Sequence, residues 1–456
     1  MEADFLAALR TALVHGDLRT DAASLIAYGY DNSREQVSPD AVVVPADTDE
    51  VAGVVRACAT HGVPLTARGL GSATTGAAVP IRKGVVIAFE RMKRILELQP
   101  DDRTMVVQPG CLNSEVQRAA AEAGFFWAPD PTSAPYSTIG GNLACNAAGP
   151  RAVKYGTSRE NTLGLQVVTG TGAIIRVGGK TSKGVVGFDL TRLLIGSEGT
   201  LALITEATLK LTPLQPARAT LRAVYRDVES AAAAVAAIMS GPVTPCALEF
   251  MHRCALDIVR ATGAVEIDTS AHALLLVECD GVESELAAQL DSVGARARNE
   301  GALEVTTATD PADIEALWQC RRALSPAQRK LKPHKINEDV VVPVSRLPQL
   351  VRGIGKLAEK YQILILSFGH AGNGNLHVNL LGDDSDLGAM NRCLPELFQL
   401  TLGLGGTISG EHGIGLVKKA FIGLELETEV LRLMRGVKHV FDPHGILNPG
   451  KVFPDE

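Results

Sequence analysis

The sequence predicts an α+β fold in two domains. A chain of 456 residues exceeds what one hydrophobic core usually accommodates, so at least two domains are expected. Segments with the apolar spacing of a helix alternate with short apolar runs typical of strands, and the composition changes near Pro213 and Pro216. We therefore expect one domain over 1–215, a second over 216–412 and a helical segment over 413–456.

The composition argues against several classes of protein. The formal net charge is −7, whereas a protein that neutralises nucleic-acid phosphates needs an excess of Lys and Arg. The 8 cysteines stand without a C-x-x-C pair, which indicates reduced thiols rather than disulfides or a zinc ribbon. Neither a signal peptide nor an apolar run of about 18 residues is seen. We expect a cytoplasmic protein with no transmembrane segment and no nucleic-acid partner.

The first domain begins with a predicted β-α-β unit over 41–89. Its outer strands are Ala41–Val44 and Val85–Phe89. Between them, Asp47 and Glu50 resemble a capping box, and apolar residues follow at helical spacing. The later elements expected here are a helix over 113–124, a hairpin of Leu163–Thr169 and Ala173–Val177, and a strand over Leu201–Leu211.

The sequence of the second domain predicts strands and helices in a β-α-β-β-α-β-like order, which favours a largely antiparallel sheet. An alanine-rich helix opens it. The elements expected are helices over 230–239 and Leu350–Lys360 and strands over 247–251, 273–279, 302–307 and Ile363–Phe368.

Four loops rich in small residues occur in the first domain. The first follows Arg68 and has neither the spacing of a Rossmann fingerprint nor a Walker A lysine. Glycines let the backbone approach a pyrophosphate, and hydroxyl groups add hydrogen-bond donors. The loops therefore predict an extended cofactor, with plain connections between strands as the alternative. The residues expected to bind it are Arg68, Gly69, Gly71, Ser72, Gly76, Pro129, Asp130, Thr132, Ser133, Gly140, Gly141, Asn142, Asn146, Gly149, Tyr155, Gly156, Glu198, Gly199 and Ile204.

A second chemical signal lies in the second domain. An apolar strand leads to His370, a Gly-Asn-Gly-Asn turn follows, and the next strand carries His377. Glu411 and His412 come about 30 residues later, between glycines. Two imidazoles and a carboxylate suit Zn²⁺ with an open coordination position. A single histidine beside a turn is more often a polar surface residue, but the combination predicts a metal site.

At these loops and histidines the chain resembles the FAD-binding proteins of the vanillyl-alcohol-oxidase (PCMH) type, from Pro45 to Phe453. It looks closest to the branch of D-lactate dehydrogenases, the glycolate oxidase flavin subunit and D-2-hydroxyglutarate dehydrogenase. The resemblance implies a two-subdomain PCMH-type FAD-binding domain and an α+β cap domain with the substrate site. The C-terminal segment would return to the flavin domain and place Asn448 near the isoalloxazine. Ser72 stands where some relatives attach FAD through histidine, which implies non-covalent FAD.

The resemblance also assigns roles in the second domain. His370, His377 and Glu411 match metal ligands, and His412 matches a histidine beside the substrate hydroxyl, which we expect to act as general base. Contacts with substrate are implied for Asn379, for Arg321 in the W-x-x-R pattern and for Ser325. An arginine binds a carboxylate with two parallel hydrogen bonds.

One position departs from the pattern of the D-2-hydroxyglutarate enzymes. Asn337 stands where those enzymes have a lysine, and the nearest lysine, Lys335, is two residues away. A second substrate carboxylate is therefore less well matched, which favours a monocarboxylate.

These observations predict FAD-dependent, metal-assisted oxidation of a small (R)-2-hydroxy acid, D-lactate or glycolate, by hydride transfer to flavin N5. D-2-hydroxyglutarate dehydrogenase is the first alternative. A non-redox transferase like alkyl-glycerone-phosphate synthase and an electron-transfer flavoprotein subunit are alternatives of other classes. The electron acceptor stays open among a quinone, a cytochrome, an electron-transfer flavoprotein and an iron–sulfur subunit. A homodimer and peripheral attachment to a membrane through that acceptor also stay open.

Overall fold

The computed structural model describes residues 2–262, 267–328 and 331–455, without the side chains at 262, 323 and 325–328. The chain forms two compact units. The first unit comprises Met1–Gly149, Gly156–Leu214 and Glu411–Glu456, and the second comprises Pro150–Tyr155 and Gln215–Gly410. We call the second the cap unit.

The described residues form strands and helices throughout both units. The strands are β1 Asp17–Arg19, β2 Ala41–Val44, β3 Leu65–Arg68, β4 Val85–Ala88, β5 Ile95–Gln99, β6 Thr104–Val107, β7 Phe125–Phe126, β8 Thr162–Thr169, β9 Ile174–Gly178, β10 Ala202–Lys210, β11 Thr212–Pro213, β12 Ala217–Tyr225, β13 Ala247–His252, β14 Ala273–Gly281, β15 Glu304–Ala308, β16 His334–Val341, β17 Leu364–Gly369 and β18 Asn375–Gly382. The α-helices are α1 Ala3–Ala12, α2 Ala22–Ala27, α3 Thr48–His61, α4 Asn113–Glu122, α5 Ile139–Ala144, α6 Ala152–Tyr155, α7 Leu190–Leu194, α8 Val228–Met239, α9 Arg253–Thr262, α10 Glu283–Asn299, α11 Pro311–Gln328, α12 Leu347–Tyr361, α13 Leu387–Gly403, α14 Ile422–Glu425 and α15 Thr428–Phe441.

The first unit contains two larger sheets. One has the strand order β1-β2-β4-β3, in which β2, β4 and β3 are parallel, as the predicted β-α-β unit requires. The other is antiparallel with the order β5-β6-β10-β8-β9. The described residues of this unit bury two large apolar clusters and a small third one at Val42, Val44, Val86 and Ala88 of the first sheet.

Helix α3 shows how the first unit begins. The Asp47 side chain accepts a hydrogen bond from the backbone N–H of Glu50 and caps the helix. The Glu50 carboxylate does not complete the expected capping box. Instead it accepts the N–H groups of Ala46 and Gly16, which ties the chain before β1 to the start of α3.

The cap unit is built on one antiparallel sheet with the order β15-β12-β14-β13-β17-β18-β16. Helices α9 and α11 pack on one face, against Met251 of β13, Leu276 of β14 and Leu381 of β18. Side chains alternate between the two faces along each strand. Glu249, Glu278 and the pair His377 and Asn379 therefore lie on this same face, at the ends of an apolar core.

The predicted α+β class and the largely antiparallel second sheet are confirmed. Strands β12 and β16 were not predicted. The tail from 413 was expected to be helical, but helices occur there only at α14 and α15. The preceding backbone is held by other groups in the first unit, described below.

Candidate functional site

A tight reversal between β17 and β18 brings two histidines together. Gly369 and Gly374 adopt positive φ values of 153° and 73°, which favours glycine at both positions. His370 follows β17 directly and His377 lies on β18. Both side chains are buried, and their ring centroids are 5.4 Å apart at an interplanar angle of 82°.

Glu411 completes a group of three side chains that could hold a metal ion. It follows Gly410, the last residue of the cap unit, and is the first residue of the C-terminal part of the first unit. The buried Asp339 carboxylate accepts the Gly410 N–H at 2.8 Å. Ligand atoms of His370, His377 and Glu411 all lie within 4.8 Å of one another.

Glu249 lies between a histidine and an arginine. Its Oε1 is 2.5 Å from Nδ1 of His370, and its Oε2 accepts Nε–H of Arg321 at 2.7 Å. Burial alone would raise the pKa of this carboxyl, but the positive charges of His370 and Arg321 outweigh it and hold the pKa far below its usual range. The ionised carboxylate therefore accepts from both partners.

Arg321 lies on α11 beneath the sheet. Its guanidinium carbon is 4.7 Å from the ring centroid of Phe368. Three residues earlier on the same helix face, Trp318 donates its indole N–H to the buried Glu278 carboxylate at 2.9 Å. Within the described part of the chain, Nε is the atom of Arg321 that makes hydrogen bonds, and Nη1 and Nη2 make none.

Asn379 supplies a neutral polar group on the same face. Its side chain is completely buried, and neither amide atom has a hydrogen-bond partner among the residues that the structure describes. It lies directly opposite Asn337 of β16 in the sheet register. Because a buried amide without a partner is costly, this position is suited to a bound polar molecule. The side chain of Ser325 lies outside the described residues.

His412 belongs to a segment held by two loops of the first unit. Its carbonyl accepts Thr75 Oγ1–H at 3.4 Å, and the N–H of Leu416 donates to the Thr75 carbonyl at 2.7 Å. The Glu198 carboxylate accepts the N–H groups of Ile414 and Gly415 at 2.7 and 2.8 Å. Burial raises the pKa of Glu198. These contacts place His412 beside two of the predicted cofactor loops.

Several predicted cofactor residues of the first unit lie in loops that closely approach neighbouring segments. A Cβ on Gly69 would lie 2.5 Å from Thr138 Oγ1, and one on Gly149 would lie 2.7 Å from the Asp130 backbone, so only glycine fits either place. Asn448 donates its side-chain N–H to the Glu198 carbonyl at 2.7 Å. The loops that carry Gly69, Gly149 and Glu198 are therefore connected to neighbouring segments of the first unit.

Tyr155 is the exception among the predicted cofactor residues. It belongs to the cap unit, where its hydroxyl donates to Asp280 at 2.7 Å and the neighbouring Lys154 binds the same carboxylate at 2.5 Å. The hydroxyl is therefore used within the cap unit.

Comparison with known proteins identifies the family. Residues 214–452 match the family model of the C-terminal domain of FAD linked oxidases, and residues 39–178 match an FAD binding domain. The chain belongs to the FAD-linked oxidase family. This chain is 40% identical over 435 residues to the glycolate oxidase subunit GlcD of Bacillus subtilis (strain 168). The alignment covers 94% of this chain and 93% of the relative. The chain is 37% identical to a D-lactate dehydrogenase of Archaeoglobus fulgidus over 93% of this chain and 95% of that one.

The fold comparison agrees with the sequence resemblance. A p-cresol methylhydroxylase structure with substrate bound superposes with a TM-score of 0.79 at 16% identity, covering 100% of this FAD-linked oxidase and 98% of that chain. The predicted PCMH-type architecture is thereby confirmed. No helix in the described ranges is long and apolar enough to cross a membrane.

Sequence reasoning missed two carboxylates that hold site residues in place. They belong to Glu249 and Asp339, both buried on strands of the cap sheet. A signal was present for Glu249, which is an acid within a run of strand-forming residues, because a buried acid has to find a partner.

Proposed function

We propose that this FAD-linked oxidase converts a small (R)-2-hydroxy acid into the 2-oxo acid, with D-lactate or glycolate as favoured substrates and with one divalent metal ion. The observation that carries the proposal is the arrangement Arg321–Glu249–His370. It fixes a guanidinium suited to a carboxylate beside a group of metal-binding side chains. The similarity to a glycolate oxidase subunit and to a D-lactate dehydrogenase supports the same class of reaction.

The donor set fits a divalent metal. Two imidazoles and a carboxylate are typical ligands of catalytic zinc, and they leave a position open for substrate. Because Nδ1 of His370 bonds to Glu249, Nε2 is the nitrogen that can bind a metal without breaking this contact. A bound metal would supply a Lewis acid that lowers the pKa of the substrate hydroxyl group.

The substrate would be oriented by side chains of the cap unit. The two Nη groups of Arg321 can donate parallel hydrogen bonds to one carboxylate. The Asn379 amide offers both a donor and an acceptor without a present partner among the described residues. Burial of both side chains excludes water and strengthens these interactions.

Oxidation requires removal of a proton and a hydride. We propose that His412 accepts the hydroxyl proton, because a neutral imidazole has a ring nitrogen that can accept one. The hydrogen on C2 leaves with its electron pair, for which FAD supplies the acceptor at N5. The carbon–oxygen double bond of the 2-oxo acid forms as both leave. FAD is bound non-covalently in this proposal, since Ser72 stands at the position of attachment.

D-2-hydroxyglutarate remains a second candidate substrate. Asn337 offers no charge for a second carboxylate. Lys335 is two residues away on β16 and lies on the same face as Asn337, because side chains alternate along a strand. Lysine is a flexible cation with a long reach. A substrate panel has to include this dicarboxylate.

Anaerobic reduction of the flavin tests the proposal. The purified yellow protein is mixed with (R)-lactate, (S)-lactate, glycolate and both enantiomers of 2-hydroxyglutarate, and flavin absorbance is followed. We expect bleaching by (R)-lactate or glycolate and none by (S)-lactate. Bleaching by (R)-2-hydroxyglutarate alone would select the second candidate. No bleaching by any 2-hydroxy acid would contradict the proposal and favour a transferase or an electron-transfer subunit.

A further inference from the structure

Glu249 is a carboxylate in an otherwise apolar strand. Its neighbours in β13 are Leu248 and Phe250, and its side chain is 1% exposed. Moving a charge out of water costs several kcal/mol, which its partners have to offset. One of its two oxygens accepts a hydrogen bond from Arg321, and the other lies against Nδ1 of His370. A strand that only packs against α9 and α11 would need no such group.

We propose that Glu249 is a positioning residue that fixes His370 and Arg321 at one spacing. The inference rests on the proposed function, since it takes His370 as a metal ligand and Arg321 as the group that binds the substrate carboxylate. Glu249 itself touches neither metal nor substrate in this proposal.

On the histidine side, Glu249 determines the tautomer. An ionised carboxylate accepts a hydrogen bond from Nδ1–H, so the neutral ring carries its proton on Nδ1 and its free lone pair on Nε2. The contact also fixes the rotation of the ring. Carboxylate partners of this kind raise the basicity of a ligating imidazole, and their loss weakens metal binding about 10–100-fold.

On the arginine side, Glu249 determines which edge of the guanidinium is presented. Oε2 takes the Nε–H, and the planar group lies against the ring of Phe368. The Nη1 and Nη2 edge is then the one that a carboxylate can approach. A rigid link between this edge and His370 selects acids that carry the hydroxyl on the carbon next to the carboxylate.

Glu249→Gln tests the inference, with Glu278→Gln as the matched control. Glu278 is also a buried carboxylate on the same face of the sheet, but it contacts Trp318, Thr220, Arg218 and Cys246 and none of the proposed metal ligands. Zinc affinity is measured by competition with a chromophoric chelator on the FAD-loaded proteins without substrate. We expect the zinc Kd to rise about 10–100-fold in Glu249→Gln and to stay within about threefold in Glu278→Gln.

A second readout separates positioning from general damage. At saturating zinc, kcat of Glu249→Gln should return towards that of the unaltered protein, while KM for the hydroxy acid stays raised because Arg321 has lost its partner. If Glu249→Gln does not fold, Glu249→Asp replaces it. It keeps the charge but is one methylene shorter, so it should also weaken zinc binding.

The outcomes distinguish this inference from the proposed function. Zinc binding by Glu249→Gln equal to that of the unaltered protein would overturn the positioning role alone. An equal loss in Glu278→Gln would also overturn it, because the effect would then follow from any buried amide. Absence of zinc binding by the unaltered protein would instead overturn the proposed metal.

Discussion

At the scale of single residues, His412 is the group on which proton removal depends in the proposed reaction. His412→Asn keeps a polar side chain but removes the base. We expect FAD to stay bound and flavin reduction by substrate to slow on the order of 10²–10⁴-fold. Stopped-flow absorbance without oxygen measures this rate.

The matched control for this substitution is His439→Asn. His439 is exposed on α15, in the same unit, and the same chemical change there should leave flavin reduction unaltered. Near-normal reduction in His412→Asn would show that another group, or water, accepts the proton.

The site residues differ in how well they could be predicted from the sequence. His370, His377 and Glu411 stand in unusual glycine-rich settings, so their grouping could be predicted. Glu249 could not be paired with His370 and Arg321 from sequence, because the three lie on separate elements more than 45 residues apart in the chain. Their meeting depends on the order of strands in the cap sheet.

At the scale of elements, the turn between β17 and β18 controls the spacing of the two histidines. A Cβ on Gly374 would lie 1.9 Å from the carbonyl oxygen of Val342, and its φ of 73° disfavours any other residue. We expect Gly374→Ala to lower the free energy of unfolding by at least about 1–2 kcal/mol from the backbone conformation alone. It should also weaken zinc binding. Urea unfolding and chelator competition measure the two effects.

Gly355→Ala is the control for that turn. Gly355 lies inside α12 of the cap unit with no atom within 4 Å of an added Cβ. Alanine there should stabilise the protein by roughly 0.5–1 kcal/mol and leave the zinc affinity unaltered. A zinc affinity of Gly374→Ala equal to that of the unaltered protein would mean that the turn does not control the spacing of the two histidines.

The elements that sequence reasoning missed share a physical cause. Strand β16 contains Lys335, Asn337, Glu338 and Asp339, so it lacks the apolar alternation of a typical strand. It pairs with β18 along its length, and polar side chains face one another at Asn337 and Asn379 and at Asp339 and His377. Residues 413–417 are not helical, because the Glu198 carboxylate and the Thr75 carbonyl accept their backbone N–H groups.

At the scale of the whole molecule, the two units do not follow the linear order of the chain. Pro150–Tyr155 belongs to the cap unit although residues on both sides belong to the first unit. Lys154 and Tyr155 hold it there through Asp280. Domain boundaries drawn along the sequence cannot assign so short a segment to the other unit, because the amino-acid composition does not change over these six residues. The prediction of two α+β domains needed only length and periodicity.

Removal and return of the metal test the central claim most directly. The FAD-loaded protein is stripped with a chelator, its metal content is measured, and anaerobic flavin reduction by (R)-lactate or glycolate is followed before and after adding Zn²⁺. We expect the stripped protein to keep its yellow flavin, to lose reduction by the hydroxy acid and to recover it with one zinc per chain. Reduction at an unaltered rate by metal-free protein would contradict metal-assisted oxidation at His370, His377 and Glu411.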